Sequence, residues 1–204
     1  MIDFENSFKN SKLPYVLGKA KTLSKKECES IYNYMKEYKP HTILEFGVQF
    51  GCSSKAMLDM SRWLKLNTSL HSWDTKKIFR YVEENEFTFH HENVTEKEPQ
   101  CIDKYKPDLL FIDAHHYPLV KNLIKLCLQR KINFIIHDTI KSLVDNCREN
   151  SNNFTDTSKP LHWEIVTLGQ LVSEEIWDND YYENDTLIVK STRDRFGISI
   201  VTFK

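Results

Sequence analysis

Ile43-Leu44-Glu45-Phe46-Gly47-Val48-Gln49-Phe50-Gly51-Cys52-Ser53-Ser54 is the stretch that decides the fold. The 204-residue chain holds only five glycines, and two of them stand four apart here, directly after a β-rich run. That economy points to a backbone demand. At a strand-to-helix turn glycine permits positive φ and lets another group approach the main chain, while the helix beyond it presents unpaired N–H groups. A nucleotide-binding turn has this geometry. The dinucleotide pattern G-x-G-x-x-G is missing, and so is the basic residue of the phosphate-cradling G-x-x-x-x-G-K-[ST]. An acid, Glu45, precedes the first glycine instead, and it can hold the amino end of a zwitterion.

Outward from this turn the chain alternates short β-rich runs with amphipathic segments. The runs are 42–46, 70–73, 87–89, 109–112 and 133–136, and the helical patterns are 53–64, 75–84, 95–105 and 118–130. Val120, Leu123, Ile124, Cys127 and Leu128 share one face of the last pattern, and Pro118 suits a first helical turn. Strands alternating with helices give a parallel sheet covered on both sides. The runs 109–112 and 133–136 lack in/out alternation, as central strands do. Before the first run, Ser24-Lys25-Lys26-Glu27 reads as a capping box, and Cys28, Ile31, Met35 and Tyr38 follow at helical spacing until Pro40. Residues 1–22 have no clean period. Beyond Asp138, the stretch 141–159 is rich in Asn, Ser, Thr and Asp and reads as a mobile or inserted segment. Apolar runs follow at 163–168, 186–189 and 198–203, with 193–197 able to turn the last two into a hairpin.

One domain is expected at about 150 residues per domain. It divides into an N-terminal helical extension (1–40), a ligand-binding core (41–138), an insertion or lid (139–185) and C-terminal strands (186–204). With 28 basic against 29 acidic residues the net charge is -1, so there is no positive field to hold nucleic acid. The longest apolar stretches are about four residues against the ~20 needed to cross a bilayer, and the N-terminus lacks a basic n-region, so no membrane association is expected and the chain reads as cytoplasmic. Five scattered cysteines without a C-x-x-C pair fit a reducing compartment, and Cys127 reads as a small core residue.

Glu45, Gly47, Gly51 and Ser53 fill every place of an E-x-G-x-x-x-G-x-S pattern. In this the sequence resembles the class I S-adenosylmethionine-dependent methyltransferases, specifically the small O-methyltransferase subgroup typified by catechol and macrocin O-methyltransferases. Gln49 stands where the commoner D-x-G-x-G-x-G form has its middle glycine. The likeness continues in order. Asp74 ends the second run, 23 residues beyond Gly51, where the family has an acid for the ribose hydroxyls; the lesser alternative is a cap for a helix starting at Thr75. Asn93, after the third run, falls where the family contacts adenine. The fourth run, from Asp108 to Tyr117, looks like the family's D-x-x-x-I-D-[GA]-x-H-x-Y signature, except that Tyr117 follows His116 immediately, so His115 and His116 are exchangeable. The fifth ends in His137-Asp138-Thr139, similar to the family's H-D-T.

The resemblance implies an α/β, doubly wound, mostly parallel seven-stranded sheet with an antiparallel C-terminal hairpin. It implies cofactor contacts from Glu45, Gly47, Gly51, Ser53, Asp74, Asn93 and Asp113, and methyl transfer to a hydroxyl of a small molecule or sugar. A homodimer is compatible with it. Gly47, Asp74, Asp113 and Asp138 all fall at carboxyl ends of strands, where open parallel sheets bind ligands. Asp113, His116, His137 and Asp138 are the candidate catalytic residues, with histidine able to take the acceptor proton. In the alternative, Asp113 and Asp138 hold a divalent ion such as Mg, as in the catechol-type relatives, although Thr139 stands where those have Asn. A second functional class keeps the fold and the cofactor but lacks catalysis, as an assembly module; the His116-Tyr117 spacing and Thr139 favour it.

Overall fold

The computed structural model describes residues 3–20, 23–95, 97–140, 142, 145 and 163–204. In chain order its elements are α1 (Phe4–Lys9), α2 (Leu13–Ala20), α3 (Lys25–Tyr38), β1 (Thr42–Phe46), α4 (Cys52–Trp63), β2 (Ser69–Asp74), β3 (Thr88–His91), α5 (Glu98–Tyr105), β4 (Leu109–Ile112), α6 (Tyr117–Arg130), β5 (Asn133–His137), α7 (Trp163–Leu171), β6 (Tyr181–Glu183), β7 (Leu187–Thr192) and β8 (Ile198–Phe203). One sheet joins all the described strands in the order β3-β2-β1-β4-β5-β8-β7-β6. From β3 to β5 the pairing is parallel, and β8, β7 and β6 are antiparallel. The doubly wound sheet with its C-terminal hairpin is therefore present, with one strand more than the seven expected: β6 adds a short edge.

The register sets the rim. Phe46 pairs with both Trp73 and Ile112, and Ile112 with Ile136, so strands β1, β2, β4 and β5 end level, and the residues just beyond them share one edge. Alternate residues of each strand feed two cores, because successive side chains point to opposite faces. Ile43, Phe111 and Ile135 pack with the helices of the N-terminal region and α4, whereas Leu44, Phe46, Leu110, Ile112, Phe134 and Ile136 pack with α6 and α7. All four residues of β4 are fully buried, which explains its unbroken apolar run. Cys127 lies in the second core as expected.

The N-terminus of α3 carries the expected capping box, with the Glu27 backbone N–H donating to Ser24 Oγ at 3.2 Å and the Ser24 backbone N–H to the Glu27 carboxylate. One expectation changes. The pattern at 75–84 is not a helix: Asp74 Oδ1 accepts the Lys76 backbone N–H at 2.8 Å, and the Arg80 and Tyr81 N–H groups donate to the Phe50 carbonyl at 3.0 and 3.2 Å. The segment is spent strapping the glycine turn, and only a short 3₁₀ turn, Glu84–Glu86, follows. The apolar run at 163–168 belongs to helix α7, and Ile165, Val166 and Leu168 are buried in the second core; an all-round apolar run by itself does not distinguish helix from strand. In the stretch expected as an N-terminal helical extension, α1 and α2 precede α3 although residues 1–22 show no clean period. Of the expected insertion or lid, 141–162 apart from 142 and 145 lies outside the described residues. The remainder is part of the domain's body, since Ile176 and Trp177 are buried and Trp177 Nε1–H donates to the Ile165 carbonyl at 3.1 Å. Among the described residues no helix is long and apolar enough to cross a membrane.

Candidate active site

Gly47 leaves β1 with φ +96°, Gln49 follows at +47° and Gly51 at +80°, so the turn into α4 runs largely through left-handed backbone. What approaches Gly47 is protein: a Cβ there would lie 2.6 Å from the Asp113 carbonyl carbon and closer still to its oxygen. The first glycine thus seats the end of β4 against the end of β1. At Gly51 a Cβ would meet Val82 Cγ1 at 2.6 Å, the strap described above.

Glu45 is fully buried behind this turn. Its carboxylate accepts hydroxyl hydrogen bonds from Ser53 and Ser54 at 2.5 Å and from Ser72 at 2.6 Å. Burial pushes its pKa up, the three serines pull it down and Asp113 adds repulsion, leaving it at about 7. Glu45, Gly51 and Ser53 do not line the main cavity. They organise the first turn of α4 from behind; Ser53 instead borders a narrow second cavity beside Asp113 and His137.

The main cavity, about 380 Å³, opens at the rim. Gly47, Trp73, Asp74 and Asn93 line one side, and Asp113, His115 and His116 the other. Asp74 Oδ2 accepts the Val48 and Gln49 N–H groups at 3.0 and 2.9 Å, which with Lys76 takes three of roughly four acceptor positions of a carboxylate. Trp73 stacks on Phe46 and His90, with centroids 5.2 and 4.3 Å apart. Asn93 Oδ1 accepts from the Thr95 N–H and hydroxyl, which fixes its loop.

Asp113, His137 and Asp138 do come together. His137 Nδ1 lies 3.3 Å from Asp113 Oδ2 and 3.2 Å from Asp138 Oδ1, with His137 and Asp138 nearly inaccessible. Against burial, which pulls the imidazole down, the Asp113 carboxylate and the charges of Asp138 and Glu27 push it up to about 9. The histidine that joins this cluster from the β4–α6 loop is His115. Its Nε2 is 3.2 Å from Asp113 Oδ1, and its Nδ1 is 3.4 Å from Asp138 Oδ2 and 3.6 Å from Glu164 Oε1. Burial opposes its charge, but the Glu164 contact and the Asp113 and Asp138 carboxylates push it up to about 10. His115 and Asp138 both hold left-handed backbone, at φ +48° and +58°, which His and Asp tolerate better than most residues. His116 is the N-cap of α6 and lines the cavity wall, exposed.

Sequence reasoning missed Glu164, Glu27 and Arg193. Glu164, fully buried on α7, accepts the His115 backbone N–H at 3.2 Å. Glu27 accepts the Gly197 N–H at 2.7 Å besides capping α3. Arg193 donates to the Thr139, Ile176 and Asn179 carbonyls at 2.9, 2.8 and 3.0 Å and to Asp180 at 2.7 Å, tying the end of β5 to the β6–β7 region. The capping box was the only local signal among these three; the others are contacts between remote segments.

No protein-family model and no curated protein sequence matches the chain. Solved structures do match. A candidate caffeoyl-CoA O-methyltransferase from Staphylococcus aureus aligns at 14% identity over 98% of this chain and 95% of its own, with a TM-score of 0.65. TomG, an O-methyltransferase of tomaymycin synthesis from Streptomyces achromogenes solved with S-adenosylmethionine, aligns at 13% identity over 98% and 90%, with a TM-score of 0.59. A CmcI structure holding Mg and S-adenosylmethionine aligns at 16% over 85% and 70%, with a TM-score of 0.54. At these identities the likeness establishes the fold: it is the Rossmann-like fold of the class I O-methyltransferases.

Proposed function

We propose that the chain is an S-adenosylmethionine-dependent methyltransferase acting on a hydroxyl of a small molecule or sugar. The observation that carries this reading is the rim cavity, whose one side offers a carboxylate, an aromatic ring and an amide, and whose other side offers acids and histidines. Its volume is in the range of small-molecule sites. The fold, shared with proteins solved with S-adenosylmethionine, supports it.

The residues present fit the cofactor. Asp74 keeps about one acceptor position for a ribose hydroxyl after serving three amides, Trp73 gives an apolar wall, and Asn93 and the backbone at Gly47 complete the side. When bound, S-adenosylmethionine supplies a methyl group on a sulfonium for in-line displacement. The chain must then orient the acceptor, take its proton and exclude water. His116, on the cavity wall outside the carboxylate cluster, takes the hydroxyl proton. Asp113, on the same wall, orients the acceptor. His137 and Asp138 hold Asp113 in place from behind. Glu45, Gly51 and Ser53 shape the turn without touching the ligand.

The residues do not make a ready cage for Mg. The Asp113 and Asp138 oxygens face imidazole nitrogens of His115 and His137 at 3.2–3.4 Å, and a hard cation needs those oxygens for itself.

Calorimetric titration with S-adenosylmethionine, followed by detection of S-adenosylhomocysteine released with a metabolite mixture, tests the proposal. Absence of cofactor binding rejects it. Binding without turnover across hydroxylated acceptors favours the second reading, a non-catalytic cofactor-binding module, which gains from one observation: against burial, the surrounding carboxylates push the imidazoles of His115 and His137 up, away from the range that suits a general base near neutral pH.

A further inference from the structure

A second cleft lies between α3 and the C-terminal hairpin. Ser30, Asn33, Tyr34, Glu37 and Tyr38 line it from α3, and their spacing puts them on one stripe of the helix. Lys190 and Thr192 of β7 and Ile200 and Thr202 of β8 line it from the sheet. Lys190 pairs directly with Ile200, and each threonine lies two residues along its strand, so all four project from one face. The helix stripe and the sheet face bound about 310 Å³, within the range of small-molecule sites, and the cleft shares no lining residue with the rim cavity.

Fixed contacts hold its walls. The Ser30 and Thr192 hydroxyls are hydrogen-bonded to each other at 2.7 Å, joining helix to sheet. Tyr34 is buried, and its hydroxyl is hydrogen-bonded to the Asn133 side chain. Tyr38 has the helical spacing of the buried Ile31 and Met35, yet it is 42% exposed. Its ring stacks on that of Tyr34, with centroids 4.7 Å apart and planes inclined by 18°. An exposed ring already held in a stack is a platform for an apolar group, because little side-chain freedom remains to be lost on binding.

Charge is divided between the walls. Glu37 stands on the helix side and Lys190 on the sheet side, and neither is in an ion pair with another described residue. A ligand carrying one sign of charge is repelled by one wall. A ligand that meets both carries a positive group toward Glu37 and the phenol rings, and a negative group toward Lys190 and the threonine hydroxyls.

We propose that this cleft binds a small zwitterion with an apolar side chain, of the class of the aromatic α-amino acids. The ring lies on Tyr38 and Ile200, the ammonium faces Glu37 and Asn33, and the carboxylate faces Lys190, Thr192 and Thr202. Occupancy of the cleft does not depend on the cofactor or on methyl transfer, so either can fail without the other.

L-Phenylalanine is the probe, titrated into the full chain by calorimetry and by saturation-transfer NMR. A ligand of about twelve non-hydrogen atoms at ordinary efficiency has a Kd of about 1 mM or tighter, and that is the expected value. 3-Phenylpropanoate, without the ammonium, and phenethylamine, without the carboxylate, should each bind about fivefold more weakly or worse. Glu37→Gln should erase the preference over 3-phenylpropanoate and keep the preference over phenethylamine, and Lys190→Met should do the reverse. Tyr38→Ala should weaken all three ligands, and Tyr38→Phe should bind them as the wild type does. Glu37 and Lys190 are exposed, so their variants should melt within about 2 °C of wild type. If Tyr38→Ala does not fold, the two charge variants decide alone. No saturable phenylalanine binding by the wild type up to about 20 mM overturns the proposal. Equal affinity for the three ligands, or an affinity that none of the variants changes, overturns it as well.

Discussion

Gly47→Ala tests the claim that the first glycine of the turn seats β4 against β1. The added methyl carbon would be 2.6 Å from the Asp113 carbonyl carbon, nearer to its oxygen, and 3.2 Å from the Ala114 nitrogen. All three are backbone atoms, so no rotamer change can relieve the overlap. Forcing a side chain to φ +96° costs about 1–2 kcal/mol, and overpacking a tight contact costs about 1–3 kcal/mol. The sum is about 2–5 kcal/mol, and at roughly 2–4 °C per kcal/mol for a chain of this size the melting temperature should fall by about 4–20 °C. Gly18→Ala is the matched control, because nothing lies within 4 Å of its added Cβ and helix α2 should gain about 0.5–1 kcal/mol. Differential scanning calorimetry of the three proteins reads both numbers. The relief available to Gly47→Ala is a shift of the Asp113 backbone, so cofactor binding should weaken along with stability. A Gly47→Ala protein that melts within a degree of wild type would refute the close approach and return the glycine to a role in ligand access alone.

Stability should decline in alkali. His137 is raised from about 6.5 to about 9 by its acids, so its stabilisation is complete below about pH 6.5 and is lost as pH climbs through about 9, a contribution on the order of 3 kcal/mol. Urea unfolding at both ends of that window should show the loss, and His137→Gln should flatten it; an equal slope in the variant would reject the ion pairs as its source. Asp74→Ala strips three backbone amides of their acceptor and should cost about 2 kcal/mol of stability while weakening S-adenosylmethionine binding at least tenfold, and unchanged calorimetric affinity would remove Asp74 from the cofactor site. Arg193→Ala leaves three carbonyls without their charged donor, and a destabilisation of about 2–3 kcal/mol in urea is expected; a change under half a kcal/mol would mean that water replaces the guanidinium.

The strands of the parallel half were legible because their apolar runs are short, separated and bounded by turns. Leu109–Ile112 and Thr42–Phe46 fall where the sequence alone puts them. The helix expected at 75–84 failed for a different reason: Phe79 and Val82 have helical spacing, but they pack over the glycine turn, and the backbone of Arg80 and Tyr81 is bonded to Phe50 rather than to itself. Helices α1 and α2, six and eight residues long, are too short to build a period and depend on packing against α3 and α4. At the rim, the strand-end acids Asp113 and Asp138 could be read from motif and spacing. Which of two adjacent histidines faces them could not, since that follows from the left-handed backbone at His115. Glu164 lies 49 residues from His115 and reaches it only after α7 packs on the sheet, so no local pattern marks it.

The pairing of β5 with β8 constrains the order in which this protein can be made. Phe134, Ile135 and Ile136 find their second neighbours in Val201, Ile200 and Ser199, on the strand that comes last in chain order among those described. Until then the five parallel strands end in a bare, apolar edge with unpaired amides, a surface that templates association between nascent chains. The chain closing that edge must also bring Gly197 to Glu27, some 170 residues away, before the cap of α3 and the end of β5 are tied together. Folding of the rim therefore waits for β8, and a ribosome stalled before Ile198 would carry a sheet with its own aggregation seed exposed.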